Sequence, residues 1–294
     1  MTGLETEGRA AAFADLDQRP TLGVVRAVVR SHRDVLAAVE AAEPAIAALA
    51  DAAAERMDAG GRVVYAGAGS AGWLAFVDAT EWGPTFSVPG DRIVALVAGA
   101  EHPPGSRAEA AAEDDAGAGA GAVRALAPRA EDVVIAVSAS GQTPFALGAL
   151  AAAGDALTAA IVSTAGSALA QRADLVVEVP VGPEVISGAT RLKAGTAQKL
   201  VLNAFSTAVM VRRGRTLGDL MTSMRVANAK LRDRAVRICI AATGCSEEAA
   251  HAALAASAAD VALAVVMLAR DTDAATARAL LDATAGNVRH ALET

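Results

Sequence analysis

Two glutamates and a cluster of hydroxyls are the residues of this 294-residue chain whose types and spacing point to chemistry. Two carboxylates held in different environments divide the acid and base roles of a proton-transfer reaction. Glu81 lies in Asp78-Ala79-Thr80-Glu81, near the end of a predicted helix, where its charge opposes the helix dipole. Glu113 follows an alanine stretch and opens the acidic run Glu113-Asp114-Asp115. The alternative for both is an ordinary solvated surface carboxylate.

The hydroxyls stand in Ser138-Ala139-Ser140-Gly141-Gln142-Thr143-Pro144. Thr143 followed by Pro144 reads as a helix N-cap with proline in the first turn. A helix starting there offers its dipole and unpaired N–H groups to a dianionic phosphate. Capping alone needs only Thr143, so Ser138, Ser140, Gly141 and Gln142 join it as candidate phosphate ligands. A second turn, Gly67-Ala68-Gly69-Ser70-Ala71-Gly72-Trp73, permits close backbone approach, and Gly69, Ser70 and Gly72 are candidates there. Its spacing imitates a dinucleotide fingerprint. The acidic ribose partner expected about twenty residues on, at the end of the second strand, is missing: that strand runs out at Val97, and the acidic residue following it, Glu101, is nearly thirty residues after Gly72. A plain strand-to-helix turn is the competing reading. A third polar stretch, residues 182–199, supplies Glu184, Arg191 and Lys193, against the alternative of an exposed loop capping a long helix.

These segments need a scaffold, and the chain predicts one. Short apolar, β-branched runs at Arg62–Ala66, Arg92–Val97, Asp132–Val137, Thr158–Ser163 and Leu175–Val179 alternate with helical stretches or long loops. Five such runs imply right-handed crossovers and a three-layer α/β/α sandwich on a five-stranded parallel sheet, flavodoxin-like in type. Ligands gather at the carboxyl ends of such strands, where the candidate loops fall. One helix is predicted from Leu22 to Met57 and another from Arg191 to Arg213. The Gly/Ala-rich stretch Gly117–Ala122 reads as a flexible surface loop. Ser246 reads as a helix cap, Asp271 to Asp273 as a turn before a helix, and the last fifty residues as a three-helix module. The expected division is an N-terminal helical arm (1–57), an α/β domain (58–215) and a C-terminal helical module (216–294).

Composition narrows the function. A formal net charge of −7 argues against nucleic acid as a partner, since that needs a basic surface. No run approaches 18 apolar residues, so no membrane span is expected, and the polar Met1–Arg9 gives no signal peptide. The reading is cytoplasmic. Cys239 and Cys245 have no partnering cluster and read as reduced thiols; no metal site and no cofactor is expected.

Taken together, the segments resemble the N-acetylmuramic acid 6-phosphate etherases, a family of the sugar isomerase (SIS) superfamily. The resemblance runs from about His32 to Leu292. Its most specific parts are Gly61–Gly69, Asp78–Glu81 with Pro84–Phe86, Ala139–Gly141 with Thr143-Pro144, Gly182–Val185, Arg191–Asn203 and the tail around Ala242–Ser246. It implies a cofactor-free lyase that eliminates D-lactate from N-acetylmuramic acid (MurNAc) 6-phosphate and adds water, giving N-acetylglucosamine 6-phosphate. It implies Glu81 as acid/base at the leaving group, Glu113 as the base at C2, and a homodimer. Three positions depart from the family pattern. Ala71 replaces a hydroxyl, and Trp73 and Gln142 each replace an arginine, while the stretch His102–Arg107 is one residue longer. Those departures keep two alternatives open, a non-catalytic sugar-phosphate regulator and an aldose–ketose isomerase.

Overall fold

The computed structural model describes residues 5–103 and 106–294, so the first four residues and Pro104-Gly105 of the lengthened stretch lie outside the described residues. Five parallel strands form one sheet in the order β2-β1-β3-β4-β5: β1 (Val63–Gly67), β2 (Ile93–Val97), β3 (Val133–Ser138), β4 (Leu157–Val162) and β5 (Leu175–Glu178). Each predicted run is a strand, within a residue or two at its ends. The order reverses between the neighbouring strands β1 and β3, the kind of switch point at which ligands bind in such sheets.

The helices are α1 (Thr21–Ser31), α2 (Arg33–Asp58), α3 (Gly69–Phe86), α4 (Arg107–Ala112), α5 (Ala116–Ala125), α6 (Pro144–Ala151), α7 (Lys193–Arg212), α8 (Ala229–Thr243), α9 (Glu247–Ala256), α10 (Val261–Arg270), α11 (Ala274–Ala283) and α12 (Val288–Glu293). By compactness the chain falls into two units. One comprises the described residues up to Ala79 with Asp91–Ser206, the other Thr80–Gly90 with Thr207–Thr294.

In the first unit, alternation along the strands sends side chains to both faces of the sheet. Val64, Ala66, Val134, Ala136, Ala160 and Val162 pack with Val123 of α5 and Phe145, Ala146 and Ala149 of α6. Tyr65 points the other way, edge-on to Phe205 of α7, and its hydroxyl donates to Asp78 Oδ2 of α3 at 2.7 Å. Asp78, almost fully buried, also accepts from Ser206 Oγ at 2.9 Å. Each fully buried Val, Leu or Ile contributes about 1.5–3 kcal/mol, so the alternation itself fixes the layering.

In this unit two sequence expectations give way. The helix predicted over Leu22–Met57 is two helices, broken at His32, whose ring bonds back to Val28 O at 2.7 Å and across to Thr196 Oγ1 at 3.0 Å. Gly117–Ala122 is not a loop but the middle of α5, which starts with Asp115 accepting from Ala118 N. Its glycine content has a tertiary cause. A Cβ on Gly119 would fall onto the carbonyl of Phe145 in α6, and one on Gly148 of α6 onto the carbonyl of Ala116. The two helices approach backbone to backbone, and only glycine permits that.

The second unit carries α8 to α12, so four helices, not three, fill the last fifty residues. They include a duplication at constant spacing. Ser246 and Asp273 cap α9 and α11, Asp260 and Asn287 cap α10 and α12, and each pair of helices is joined through two left-handed residues, Ala258-Ala259 and Ala285-Gly286. Val261 matches Val288 and Ala264 matches Ala291, all buried. Among the described residues no helix is long and apolar enough to cross a membrane.

Candidate functional site

An open cleft of about 590 Å³ lies in the first unit, beside the carboxyl ends of β1 and β2. Helix α3 lines it with Gly69, Ser70, Trp73, Leu74 and Val77. Helix α4 and its flanks contribute Ser106, Glu109, Ala110 and Glu113, and Arg191 closes one side. Glycine at Gly72 lets α3 leave the strand so tightly, since a Cβ there would sit 2.8 Å from Gly67 O. Arg191 is exposed and is the one cation among these lining residues.

Glu113 follows α4 as its C-cap, half-buried and still in helical conformation. Its carboxylate is tied to the third-strand loop: Thr143 Oγ1 donates to Glu113 Oε1 at 3.2 Å, and Phe145 N donates to Glu113 O at 3.0 Å. Thr143 Oγ1 pairs with Ser138 Oγ at 2.8 Å, and Ser138 Oγ accepts from Gly141 N at 3.0 Å. A line of hydrogen bonds thus runs from the end of β3 to the carboxylate in the cleft.

This geometry changes the sequence picture of the hydroxyl loop. Thr143 occupies the N-cap position of α6, with Pro144 in the first turn, but its side chain makes no capping bond and is turned to Glu113. Of the first α6 donors, Pro144 has no N–H and that of Phe145 is spent on Glu113 O. Ser140 Oγ accepts from Gln142 N at 3.2 Å, and Gln142 is exposed. Ser138 and Ser140 therefore have local bonding roles after all.

Comparison with known proteins fixes the family. Residues 45–154 match the model described as the glucokinase regulatory protein N-terminal SIS domain, and residues 120–208 that of the SIS domain. The chain is 46% identical over 291 residues to N-acetylmuramic acid 6-phosphate etherase of Streptomyces avermitilis, covering 98% of this chain and 93% of that protein. It is 47% identical to the enzyme of the same name from Rubrobacter xylanophilus, covering 98% and 96%. This chain belongs to the N-acetylmuramic acid 6-phosphate etherase family. Among solved structures it is similar to a phosphoheptose isomerase from Francisella tularensis, with TM-score 0.49 and 23% identity, covering 65% of this chain and 98% of that one.

Of the site residues read from the sequence of this etherase-family chain, Gly69, Ser70, Glu113 and Arg191 line the cleft. Gly72 lies buried in the first turns of α3, and Ser138, Ser140, Gly141, Gln142 and Thr143 form the adjoining loop. Glu184 and Lys193 have partners within the protein. Both Glu184 oxygens cap the start of α7, accepting from Lys193 N and Ala194 N at 2.9 Å each. The buried Lys193 Nζ donates to Val181 O and to Asp34 Oδ2, the latter at 3.2 Å. Lys193 is thus no ready replacement for a missing arginine. Glu81 lies on α3, exposed, in the part of that helix that belongs to the second unit.

Sequence reading missed Glu109. It is 9% exposed and accepts from Trp73 Nε1 at 2.7 Å. Its one sequence signal was its position four residues before Glu113, which puts both carboxylates on one helical face.

Proposed function

We propose that this protein is an etherase-type lyase that converts MurNAc 6-phosphate and water into N-acetylglucosamine 6-phosphate and D-lactate. The observation that carries the reading is family membership over nearly the whole chain, joined to a cleft that holds Glu113 beside a sugar-sized space.

In the open-chain sugar the C1 aldehyde acidifies the C2 proton. Glu113 removes it, and Glu81 protonates the ether oxygen as the C3–O bond breaks and D-lactate leaves. The enal that remains takes water at C3, activated by Glu81, and receives a proton back at C2 from Glu113. Atoms balance with no redox change and no cofactor. The hydrogen bond from Thr143 holds the Glu113 carboxylate in place for the C2 proton, and orientation of this kind accounts for several kcal/mol of rate. The anionic end of the sugar is assigned to the first turn of α3 at Gly69 and Ser70, to the loop Ser138–Thr143 and to Arg191, with the α3 dipole favouring it. Glu184 and Lys193 serve this site by setting the start of α7 beside Arg191.

The assembly is proposed to be a homodimer, a reading supported by Leu22, Val25 and Val29, which leave apolar surface exposed along α1. The location is proposed to be the cytoplasm, where phosphorylated sugars are retained by their charge.

Incubation of the purified protein with MurNAc 6-phosphate and an assay for D-lactate tests the activity. Release of lactate that is lost in Glu81→Gln and in Glu113→Gln is expected. No release, with the sugar phosphate still bound, would overturn the lyase reading in favour of a sugar-phosphate regulator. Ketose formation would indicate an isomerase.

A further inference from the structure

We propose that Trp73 and Glu109 form a latch that positions Glu113: the indole N–H fixes the Glu109 carboxylate, Glu109 fixes helix α4, and α4 sets where Glu113 stands in the cleft. The latch itself is read from geometry, while its consequence for turnover rests on the lyase reading above.

Helix α4 has six residues, too few to be stable without tertiary support. Three of its anchors meet at Glu109. Glu109 N donates to the capping Ser106 Oγ at 3.1 Å. Glu109 Cα packs on Gly99 just after β2, where an added Cβ would stand 2.7 Å away. Glu109 Oε1 takes the indole N–H of Trp73 from α3 at 2.7 Å. Trp73 is itself steadied edge-on by Phe76, with ring centroids 5.7 Å apart.

Glu109 is buried, and a buried carboxylate needs its hydrogen bonds. Removing the indole donor therefore costs more than one contact and loosens the segment that Glu109 holds. Glu113 lies one helical turn further on the same face. Its own ties, to Thr143 and through its carbonyl to Phe145, hold only the far end of α4. Without the near-end tie to α3, the carboxylate is free to shift by the fraction of an ångström that matters for proton transfer. Trp73 acts through Glu109 and is a positioning residue, not a catalytic one.

The test uses the full chain and two readouts, amide hydrogen exchange over residues 107–115 and steady-state lactate release. Trp73→Phe keeps the ring and removes the donor. It is expected to speed exchange in that segment at least about fivefold and to lower kcat about tenfold to a hundredfold, with KM within about twofold. Glu109→Gln keeps an acceptor for the indole and should hold both readouts within a few-fold of the parent, whereas Glu109→Leu should not. Should Trp73→Phe fail to fold, the Gln and Leu variants of Glu109 decide the matter alone. Parental exchange and kcat in Trp73→Phe, with a raised KM in Trp73→Ala, would overturn the latch and make the ring a surface for substrate. Faster exchange in Trp73→Phe with no lactate from the parent would leave the latch standing and remove the lyase reading instead.

Discussion

Thr143 turns its hydroxyl away from the helix it begins and donates it to Glu113 at 3.2 Å. A residue in a capping position that does not cap has been diverted to another task. Here that task is to orient a carboxylate. Thr143→Val keeps the shape and removes the donor, and it leaves Ser138 Oγ without its 2.8 Å partner. The expected loss is about 1.5–3 kcal/mol of carboxylate hydrogen bonding, which is about tenfold to a hundredfold in kcat. Thr143→Ser should stay within a few-fold of the parent. Lactate-release kinetics of both variants check it, and equal rates in the valine variant would remove Thr143 from the site.

The approach of α5 and α6 predicts opposite effects for glycines in the same helix. Gly119→Ala and Gly148→Ala each place a methyl group against a backbone carbonyl of the facing helix. The backbone cannot step aside as a side chain can, so each should destabilise the fold by about 1–3 kcal/mol or more. Gly121 is on the same helix with nothing within 4 Å of an added Cβ. Gly121→Ala should stabilise by about 0.5–1 kcal/mol. Thermal melts of the three variants decide; a neutral Gly119→Ala would contradict the packing.

Those same glycines mark where sequence reading reached its limit. The five strands were legible because Val-rich runs of four to six residues have few other ways to be buried. The loops carrying Gly69, Ser70 and Thr143 were legible because they end strands. Helix α5 was not, since the reason for Gly119 lies in Phe145 and Ala116, whose proximity is a property of the fold alone. Glu109 was hidden for a similar reason. Within Arg107-Ala108-Glu109-Ala110 it looks like one more surface glutamate, and only Trp73 and Gly99, distant in sequence, make it a buried junction. The expected free N–H groups at α6 failed on a detail no pattern carries, the use of Phe145 N by Glu113 O.

The two cysteines should react very differently. Burial pushes the Cys239 thiol up to about 11, with a smaller contribution from nearby Cys245. Cys239 is fully buried, and Cys245 is partly exposed. At pH 8 Cys239 is almost wholly protonated, and the thiolate is the reactive species. Alkylation of the native protein at that pH should therefore modify Cys245 alone, with Cys239 labelled only after denaturation. Mass spectrometry of the alkylated peptides reads this directly, and rapid native labelling of Cys239 would contradict the packing of α8.

Acid sensitivity should centre on Asp132 at the start of β3. Burial alone would push its carboxyl up, but Arg62 binds it through the side chain at 2.6 Å and 3.2 Å and through the backbone at 2.8 Å, while Arg129 N adds a bond at 3.0 Å. The net effect holds it below the ordinary value of 3.8. The sign follows from that depression. The group binds fewer protons in the folded state than in the unfolded state, so its contribution is fully present above about pH 4. It is lost as pH falls through the lowered folded value. Asp132→Asn leaves Arg62 without its charge partner and should cost about 3 kcal/mol at pH 7. The difference between parent and variant should shrink as the pH is taken below 3.8, because the unfolded parent then takes up a proton that the folded state resists. Denaturant midpoints for the two proteins at pH 7, 5 and 3 measure that difference, and a gap independent of pH would show that the charge of Asp132 contributes nothing to holding β1 and β3 together at their amino ends.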